Sequence, residues 1–429
     1  MEHIVIIGNG IAGITAARHI RKRSEKRITV ISAESDHFFS RTALMYVYMG
    51  HMKYEHLKPY ENWFWEKNCI ELKKSWVEKI DFKEKMLFFS LGEPMKYDTL
   101  ILATGSVPNK FGWEGQDLKG VQGLVSLQDL ELLEENTQNC QKAVIVGGGL
   151  IGVEMAEMLR TRKIDVTFLV RENGFWANVL PQHDAQLISE HISSHGVDIR
   201  HNTTLDKILA NENGRVRGVI TSNGEEIQCD LVGLCTGVTP NIEFLRNTEL
   251  ETDKGILVDQ YLHTNIPDVY AIGDCAQQRI PFGLRKAVEA VWYTGRMMGE
   301  TLGQTLTGNK TPYKPGNWFN SAKFFDIEYQ TYGWVNTSPG QNEQHLHWVH
   351  KDGDKFITVA FDPSTNLFLG INTYGIRMRH EVFDRWLRGE KSIQHVLAHL
   401  SEANFDPEFY RRYEKEMFNS FKESLQQQV

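Results

Sequence analysis

Two stretches of this sequence repeat one device: an apolar strand, a turn of the form G-x-G-x-x-G, then a helix. The first is Ile4 to Ala17, IVIIGNGIAGITAA, with Gly8, Gly10 and Gly13; the second is Val144 to Ala156, VIVGGGLIGVEMA, with Gly147, Gly149 and Gly152. In such a turn the first glycine makes the tight bend, the second lets a pyrophosphate approach the backbone, and the third lets the helix pack on the strand. The helix then offers its positive N-terminal end to the phosphates. Two copies on one polypeptide imply two bound dinucleotides, which makes the chain a candidate electron-transfer enzyme.

Around the first copy the expected context is complete. Ile4 to Ile7 is a continuous apolar run, as a parallel strand buried on both faces requires. A helix is expected from Ile11 to Arg23 and a second strand from Ile28 to Ile31. Glu34 follows about 20 residues past the last glycine, where a carboxylate accepts hydrogen bonds from a ribose. Ser40 to Tyr60 mixes aromatics, methionines and basic residues without clean periodicity; it reads equally as a packed segment or as one facing a cofactor ring. Strands are expected at Leu72–Ile80 and Lys85–Phe89. TLILATGS, Thr99 to Ser106, is an apolar strand that ends in Ala103, Thr104 and Gly105, small residues where a backbone passes close to a cofactor.

The second copy differs at one place. After a helical lead-in over Val121–Asn139 come the strand Lys142–Val146, the helix Ile151–Arg160 and a strand Asp165–Val170. No acid stands where the ribose would be read: Val170 is there, with Arg171 and Glu172 next. A carboxylate favours NAD, whereas an arginine accommodates the 2′-phosphate of NADP. The reading leans to NADPH, and Glu172 leaves NADH open. A helix at Asp184–His195 and strands at Val197–Arg200, Thr204–Ala210, Val216–Thr221 and Glu226–Cys229 continue this region. LVGLCTG, ending at Gly237, closes it as Thr104-Gly105 closes the first. Val269 to Ala276, VYAIGDCA, delivers Gly273 and Asp274 at a strand end, where the carboxylate suits a polyol chain or caps a helix. A helix Arg285–Leu302 is expected directly after it.

Thr311 to Gly316 reads as a linker. Beyond it, strand-like segments at Trp318–Trp334, Trp348–Phe361 and Leu367–Thr373 precede two amphipathic helices, Arg379–Leu400 and Asp406–Leu425. The density of Trp318, Phe319, Phe324 and Phe325 fits a core, a dimer surface or a platform over a flavin. At 429 residues the chain exceeds what one core supports. A net charge of −8 spread along it argues against nucleic acid as a partner. Five cysteines without CxxC spacing suggest neither disulfides nor a metal site. No signal peptide is expected before Ile4 and no apolar run is long enough to span a membrane, so a cytoplasmic location is expected.

With both fingerprints, ATGS, TGVTPN and AIGD in this order, the sequence resembles the pyridine nucleotide–disulfide oxidoreductase superfamily over residues 1–335. The resemblance implies an α/β fold of two Rossmann-like dinucleotide-binding domains, the NAD(P)H domain inserted in the FAD domain, plus a C-terminal α+β interface domain. The implied boundaries are 1–112 with 245–312 for FAD, 113–244 for NAD(P)H, and 313–429 for an interface domain that forms a homodimer. Gly8, Gly10, Gly13, Glu34, Thr104, Gly105, Gly273 and Asp274 match FAD positions, with Val77 at the backbone contact to adenine. Gly147, Gly149, Gly152 and Gly237 match NAD(P)H positions, and Glu154 matches an acid near the nicotinamide. The CxxxxC of disulfide reductases is absent, and Arg41 stands where a single-cysteine branch carries its thiol. Ser40-Arg41 looks like the ferredoxin, rubredoxin and nitrite reductase flavoproteins, whose arginine lies against FAD; Tyr46 and Tyr48 occupy the region where those often place a lysine. The C-terminal domain looks like that of NADH oxidases.

The implied reaction is hydride transfer from NADPH or NADH to FAD and on to an iron–sulfur or rubredoxin-like protein or a small acceptor, with no protein disulfide. Alternatives are an NAD(P)H oxidase or a disulfide or peroxide reductase, and a non-catalytic flavoprotein with a redox-sensing or scaffold role. The hydride step needs no acid, base or nucleophile, so no catalytic residue is named; Arg41, Tyr46 and Glu154 are candidates by position alone.

Overall fold

The computed structural model describes residues 1–405, 408 and 411–426. The chain divides into two compact units, each assembled from three segments: 1–109, 123–138 and 237–315 in the first, and 110–122, 139–236 and 316–429 in the second.

The first unit is built on a five-stranded sheet in the order Val269–Ala271, Thr99–Leu102, His3–Ile7, Arg27–Ser32, Ile70–Lys74, all parallel. Ile4, Val5 and Ile6 at its centre are fully buried, as are Leu100, Ile101 and Leu102 beside them, which is why both strands read as unbroken apolar runs. The expected strand Leu72–Ile80 is two. Ile70–Lys74 closes the parallel sheet and Val77–Asp81 pairs antiparallel with Met86–Phe89. The helix Ile11–Arg21 packs against the helix Trp292–Thr305, whose Gly295, Gly299 and Gly303 face it. A side chain at Gly299 would come within 2.5 Å of the Ala12 carbonyl oxygen. This second helix starts later than the expected Arg285. Residues Ala276–Gln278 form a strand paired with Ile256–Val258, and the loop after it holds a buried ion pair, Arg285–Glu289 at 2.9 Å. Thr294 adds a hydroxyl to the same carboxylate at 3.0 Å. Just before that pair a turn is closed by Arg285 N–H donating to Phe282 O at 3.0 Å.

In the second unit the same sheet recurs: Val197–Arg200, Asp165–Leu169, Lys142–Val146, Leu231–Leu234, Val121–Gln122, again parallel. The expected lead-in helix is shorter, Leu127–Asn136, and belongs to the first unit; the start of the expected segment is instead the strand Val121–Gln122. A five-stranded antiparallel sheet, ordered Phe319–Phe324, Ile327–Gly333, Phe368–Tyr374, Phe356–Phe361, Gln344–Val349, forms the C-terminal part. Much of its aromatic density is core. Phe324 and Phe325 are buried, Tyr332 stacks on Phe383 at 5.0 Å, and Trp318 stacks on Trp334 at 5.5 Å. The expected helix Arg379–Leu400 is broken after Arg388 by Gly389 and Glu390 (φ +45°), and Ser392 caps a new helix, Ile393–Ala398, by accepting from His395 N–H. The last helix is Glu414–Gln426; the expected start at Asp406 lies outside the described residues.

Candidate functional site

In the first unit the three glycines are held by three different constraints. Gly8 has φ +114°, and a side chain on it would collide with the backbone carbonyl of Ala103. A side chain on Gly13 would collide with the carbonyl of Gly8. Gly10 is extended, stands at the N-terminus of the helix Ile11–Arg21, and faces open space within 4 Å of where its side chain would be. Asn9, between them, donates from Nδ2 to Ser35 O and Oγ at 3.0 and 3.2 Å, tying the glycine turn to the loop after the second strand. No acidic residue occupies the first turn of that helix, so no carboxylate there would oppose an anion at its N-terminus.

Glu34, in the loop after Arg27–Ser32, accepts both arms of Arg41, from Nη1 at 2.8 Å and Nη2 at 2.5 Å, and the N–H of Leu127 at 2.9 Å. An ionised carboxylate offers about four lone-pair directions, so one acceptor direction is left for a hydroxyl. Arg41 also donates to Val125 O at 2.5 Å. Ala103 and Thr104 end the strand Thr99–Leu102. Thr104 Oγ1 donates to Asn241 O at 2.8 Å, and Gly105 turns at φ +70°. Gly273 takes φ +75° and Asp274 accepts from Ser106 Oγ at 3.0 Å. Burial raises the Asp274 carboxyl above the ordinary carboxylate range, with the Ser106 hydrogen bond opposing it. Val77 is buried in the short antiparallel sheet. Thus the loops carrying Gly8–Gly10, Glu34, Thr104–Gly105 and Gly273–Asp274 all leave the carboxyl ends of parallel strands, on either side of the point where strand order reverses. That crevice is where open α/β sheets take ligands.

The second unit repeats these constraints. Gly147 has φ +111° and abuts Cys235 O; Gly152 lies against Gly147 O and, at 2.8 Å from the position of a side chain, the Phe168 ring; Gly149 begins the helix Leu150–Thr161 and faces open space. Gly148 adds a contact the motif does not specify, because a side chain there would meet Val170 at 2.8 Å. Val170 is therefore a buried packing partner of the turn. Arg171 is exposed and pairs with its neighbour, donating from Nε and Nη2 to Glu172 Oε1 at 3.1 and 2.7 Å. Gly237, at φ +90°, falls in the first unit, where Asn109 N–H donates to its carbonyl at 3.0 Å and the next residues pair with Ser106–Pro108.

Glu154 lies one turn before Glu157 on the helix Leu150–Thr161. Burial, then the charge of Glu157, pushes its carboxyl up to about 7, with Lys323 opposing. Lys323 Nζ donates to Glu157 Oε1 at 2.6 Å. Sequence reasoning missed both Glu157 and Lys323, since their link joins positions far apart in the chain. It also missed Asp184, which is not the start of its helix (Gln182–Ser194) but a fully buried carboxylate. Asp184 accepts from Thr358 Oγ1 at 2.5 Å, Tyr374 OH at 2.8 Å and Asn372 Nδ2 at 3.3 Å. The five cysteines are free thiols. Burial pushes Cys140 to about 11, Cys229 and Cys235 to about 12, and raises Cys275 beside Asp274. These four are protonated near neutral pH and poor nucleophiles.

A family model described as pyridine nucleotide-disulphide oxidoreductase matches residues 2–294. The sequence is 30% identical over 314 residues to a rubredoxin-NAD(+) reductase of Pseudomonas putida, covering 72% of this chain and 81% of that one. It is also 30% identical over 288 residues to the nitrite reductase [NAD(P)H] of Bacillus subtilis, covering 66% of this chain but only 35% of that larger protein. Among solved structures, a ferredoxin reductase from Rhodopseudomonas palustris superposes with a TM-score of 0.83 at 25% identity, over 96% of this chain and 98% of that one.

Proposed function

The chain belongs to the pyridine nucleotide-disulphide oxidoreductase family, and on that premise we propose that it carries reducing equivalents from a nicotinamide dinucleotide, by way of FAD, to a rubredoxin- or ferredoxin-type carrier protein. The observation that carries this reading is the asymmetry of two otherwise matching glycine cradles. A carboxylate, Glu34, follows the first, while buried Val170 and exposed Arg171 follow the second. We assign FAD to Gly8, Gly10, Gly13, Glu34, Arg41, Val77, Ala103, Thr104, Gly105, Gly273 and Asp274. The nicotinamide dinucleotide is assigned to Gly147, Gly149, Gly152, Glu154, Arg171 and Gly237. The corresponding domains are 1–112 with 245–312, and 113–244; residues 313–429 form the interface of a homodimer. The open space at Gly10 and at Gly149, each at a helix N-terminus, supports pyrophosphate binding at both places.

When bound, FAD supplies the hydride acceptor and the release of electrons to the next carrier. The chain's own part is to hold two pyrophosphates, align the rings and exclude water. Four protonated thiols, three of them buried, count against an oxidase, disulfide or peroxide reductase that works through a cysteine. Free thiols throughout support a cytoplasmic location; among the described residues no helix is long and apolar enough to cross a membrane.

Anaerobic titration of the FAD-loaded protein tests the reading. NADPH is expected to bleach the flavin absorbance, and the reduced protein to pass electrons to a rubredoxin or ferredoxin faster than to oxygen or a disulfide. Failure of both NADPH and NADH to bleach it sinks the proposal. The absence of a carboxylate at Val170 supports a preference for NADPH. Arg171→Ala is then expected to raise the KM for NADPH roughly tenfold, the value of about 1.4 kcal/mol of lost phosphate interaction, and to leave that for NADH nearly unchanged.

A further inference from the structure

We propose that the second unit binds a divalent first-row transition cation, zinc being the reference ion, through His191, His195 and Asp326. His191 and His195 are one turn apart at the C-terminal end of the helix Gln182–Ser194, so both rings leave the same face. Asp326 sits at the tip of the two-residue turn that joins Phe319–Phe324 to Ile327–Gly333. His191 Nε2 lies 2.6 Å and His195 Nε2 3.4 Å from Asp326 Oδ1, and the three ligand atoms all fall within 4.8 Å of one another.

Three features make this a built site. First, His195 Nδ1 is 2.9 Å from the His191 carbonyl oxygen. Donation to that carbonyl places the proton on Nδ1 and leaves the Nε2 lone pair facing Asp326, the orientation that metal-ligating histidines adopt. Second, the spacing is right. Ligands 2.0–2.1 Å from a tetrahedral zinc stand about 3.4 Å apart; His195 and Asp326 already do, and exposed Asp326 has to withdraw from His191 by less than about 1 Å. Third, the turn is held in a costly shape. Phe325 takes φ +57°, a conformation bulky side chains avoid. It keeps it because the ring is buried and stacks on His195 at 4.6 Å. The strained residue thus fixes Asp326 over the two imidazoles. Imidazole nitrogen with carboxylate oxygen suits zinc, nickel or cobalt, and solvent completes the shell. The buried His191 Nε2 has no hydrogen-bond partner among the described residues, and the ion would satisfy it and clip the helix to the hairpin.

The test uses the full chain purified without an affinity tag, stripped with a chelator and titrated with Zn2+ by calorimetry. One saturable equivalent is expected whose affinity falls at least tenfold in His195→Ala and in Asp326→Asn. Both residues are partly or largely exposed, so these variants are expected to keep wild-type circular dichroism. The affinity is expected to survive His183→Ala, which alters another His–Asp–His grouping, His183 and Asp184 of this helix with His347 of the strand Gln344–Val349. Zn2+ is also expected to raise the Tm of the wild type and not that of Asp326→Asn. No saturable binding, binding insensitive to both variants, or loss in His183→Ala alone overturns the proposal. Flavin reduction plays no part in these readouts, so failure here is separate from failure of the proposed redox function.

Discussion

Gly8 and Gly10 are two residues apart and look alike in the sequence, yet the structure gives them opposite sensitivities. Gly8→Ala places a side chain on a backbone at φ +114° and against Ala103 O, and is expected to destabilise the chain by about 2–4 kcal/mol in urea denaturation. Gly10→Ala meets nothing in the protein, so its stability is expected to stay within about 0.5 kcal/mol while FAD retention falls at least tenfold. Equal losses of stability in the two variants would refute the assignment of Gly10 to a phosphate. Glu154 makes a second prediction at this scale. Its folded pKa, about 7, lies above the ordinary 4.5. Its contribution to stability is therefore fully present below pH 4.5 and is lost as pH rises to 7. Glu154→Gln removes the charge, so the variant is expected to gain on the wild type between pH 5 and 7, by an amount on the order of 1–3 kcal/mol that levels off above pH 7. A pH-independent difference in thermal melts would show that Glu154 titrates normally.

Helices and strands formed where apolar runs and glycines predicted them, because a strand buried on both faces has to be apolar throughout. Lys142–Val146 and Val216–Thr221 fall where periodicity puts them. The misplaced boundaries have local causes that depend on partners. The helix expected from Arg285 starts at Trp292, and Arg285 and Glu289 form a buried pair in the loop before it. The run Leu72–Ile80 splits because its halves join different sheets. The glycines at 295, 299 and 303 are spaced to leave one helix face bare, and the use of that bare face is helix-to-helix approach. Gly299→Leu is expected to cost about 1–3 kcal/mol through overpacking against Ala12 and Thr15. Asp184 couples the helix Gln182–Ser194 to the C-terminal sheet. Asp184→Ala strips an acceptor from Tyr374, Thr358 and Asn372 and is expected to cost about 3 kcal/mol or more, and Asp184→Asn roughly half as much. Both are measurable by urea denaturation, and a neutral Asp184→Ala would show that the network adds nothing to stability.

At the scale of the molecule, the chain holds the same parallel sheet twice, and the proposed division of labour between the copies rests on the residues just beyond each second strand. Hydrogen exchange distinguishes them. FAD is expected to protect amides of Gly8–Gly13, and NADPH, added to the oxidised protein, those of Gly147–Gly152; the reverse pattern would exchange the two assignments. A net charge of −8 is modest for a chain of 429 residues, so docking of the proposed carrier depends on local patches rather than on overall charge.

By itself the sequence determined that two dinucleotide folds are present, since glycine and apolar runs respond to backbone sterics and burial, which act over a few residues. It also determined that no cysteine pair stands where a disulfide reductase needs one. Only the tertiary structure decided that Glu34 is shared with Arg41 and Leu127, that Val170 is a packing residue, that Glu157 meets Lys323, and that His191 and His195 meet Asp326. Electrostatic and hydrogen-bonded partners are chosen by proximity in the folded chain, where burial strengthens their interaction, and sequence distance carries no record of that choice.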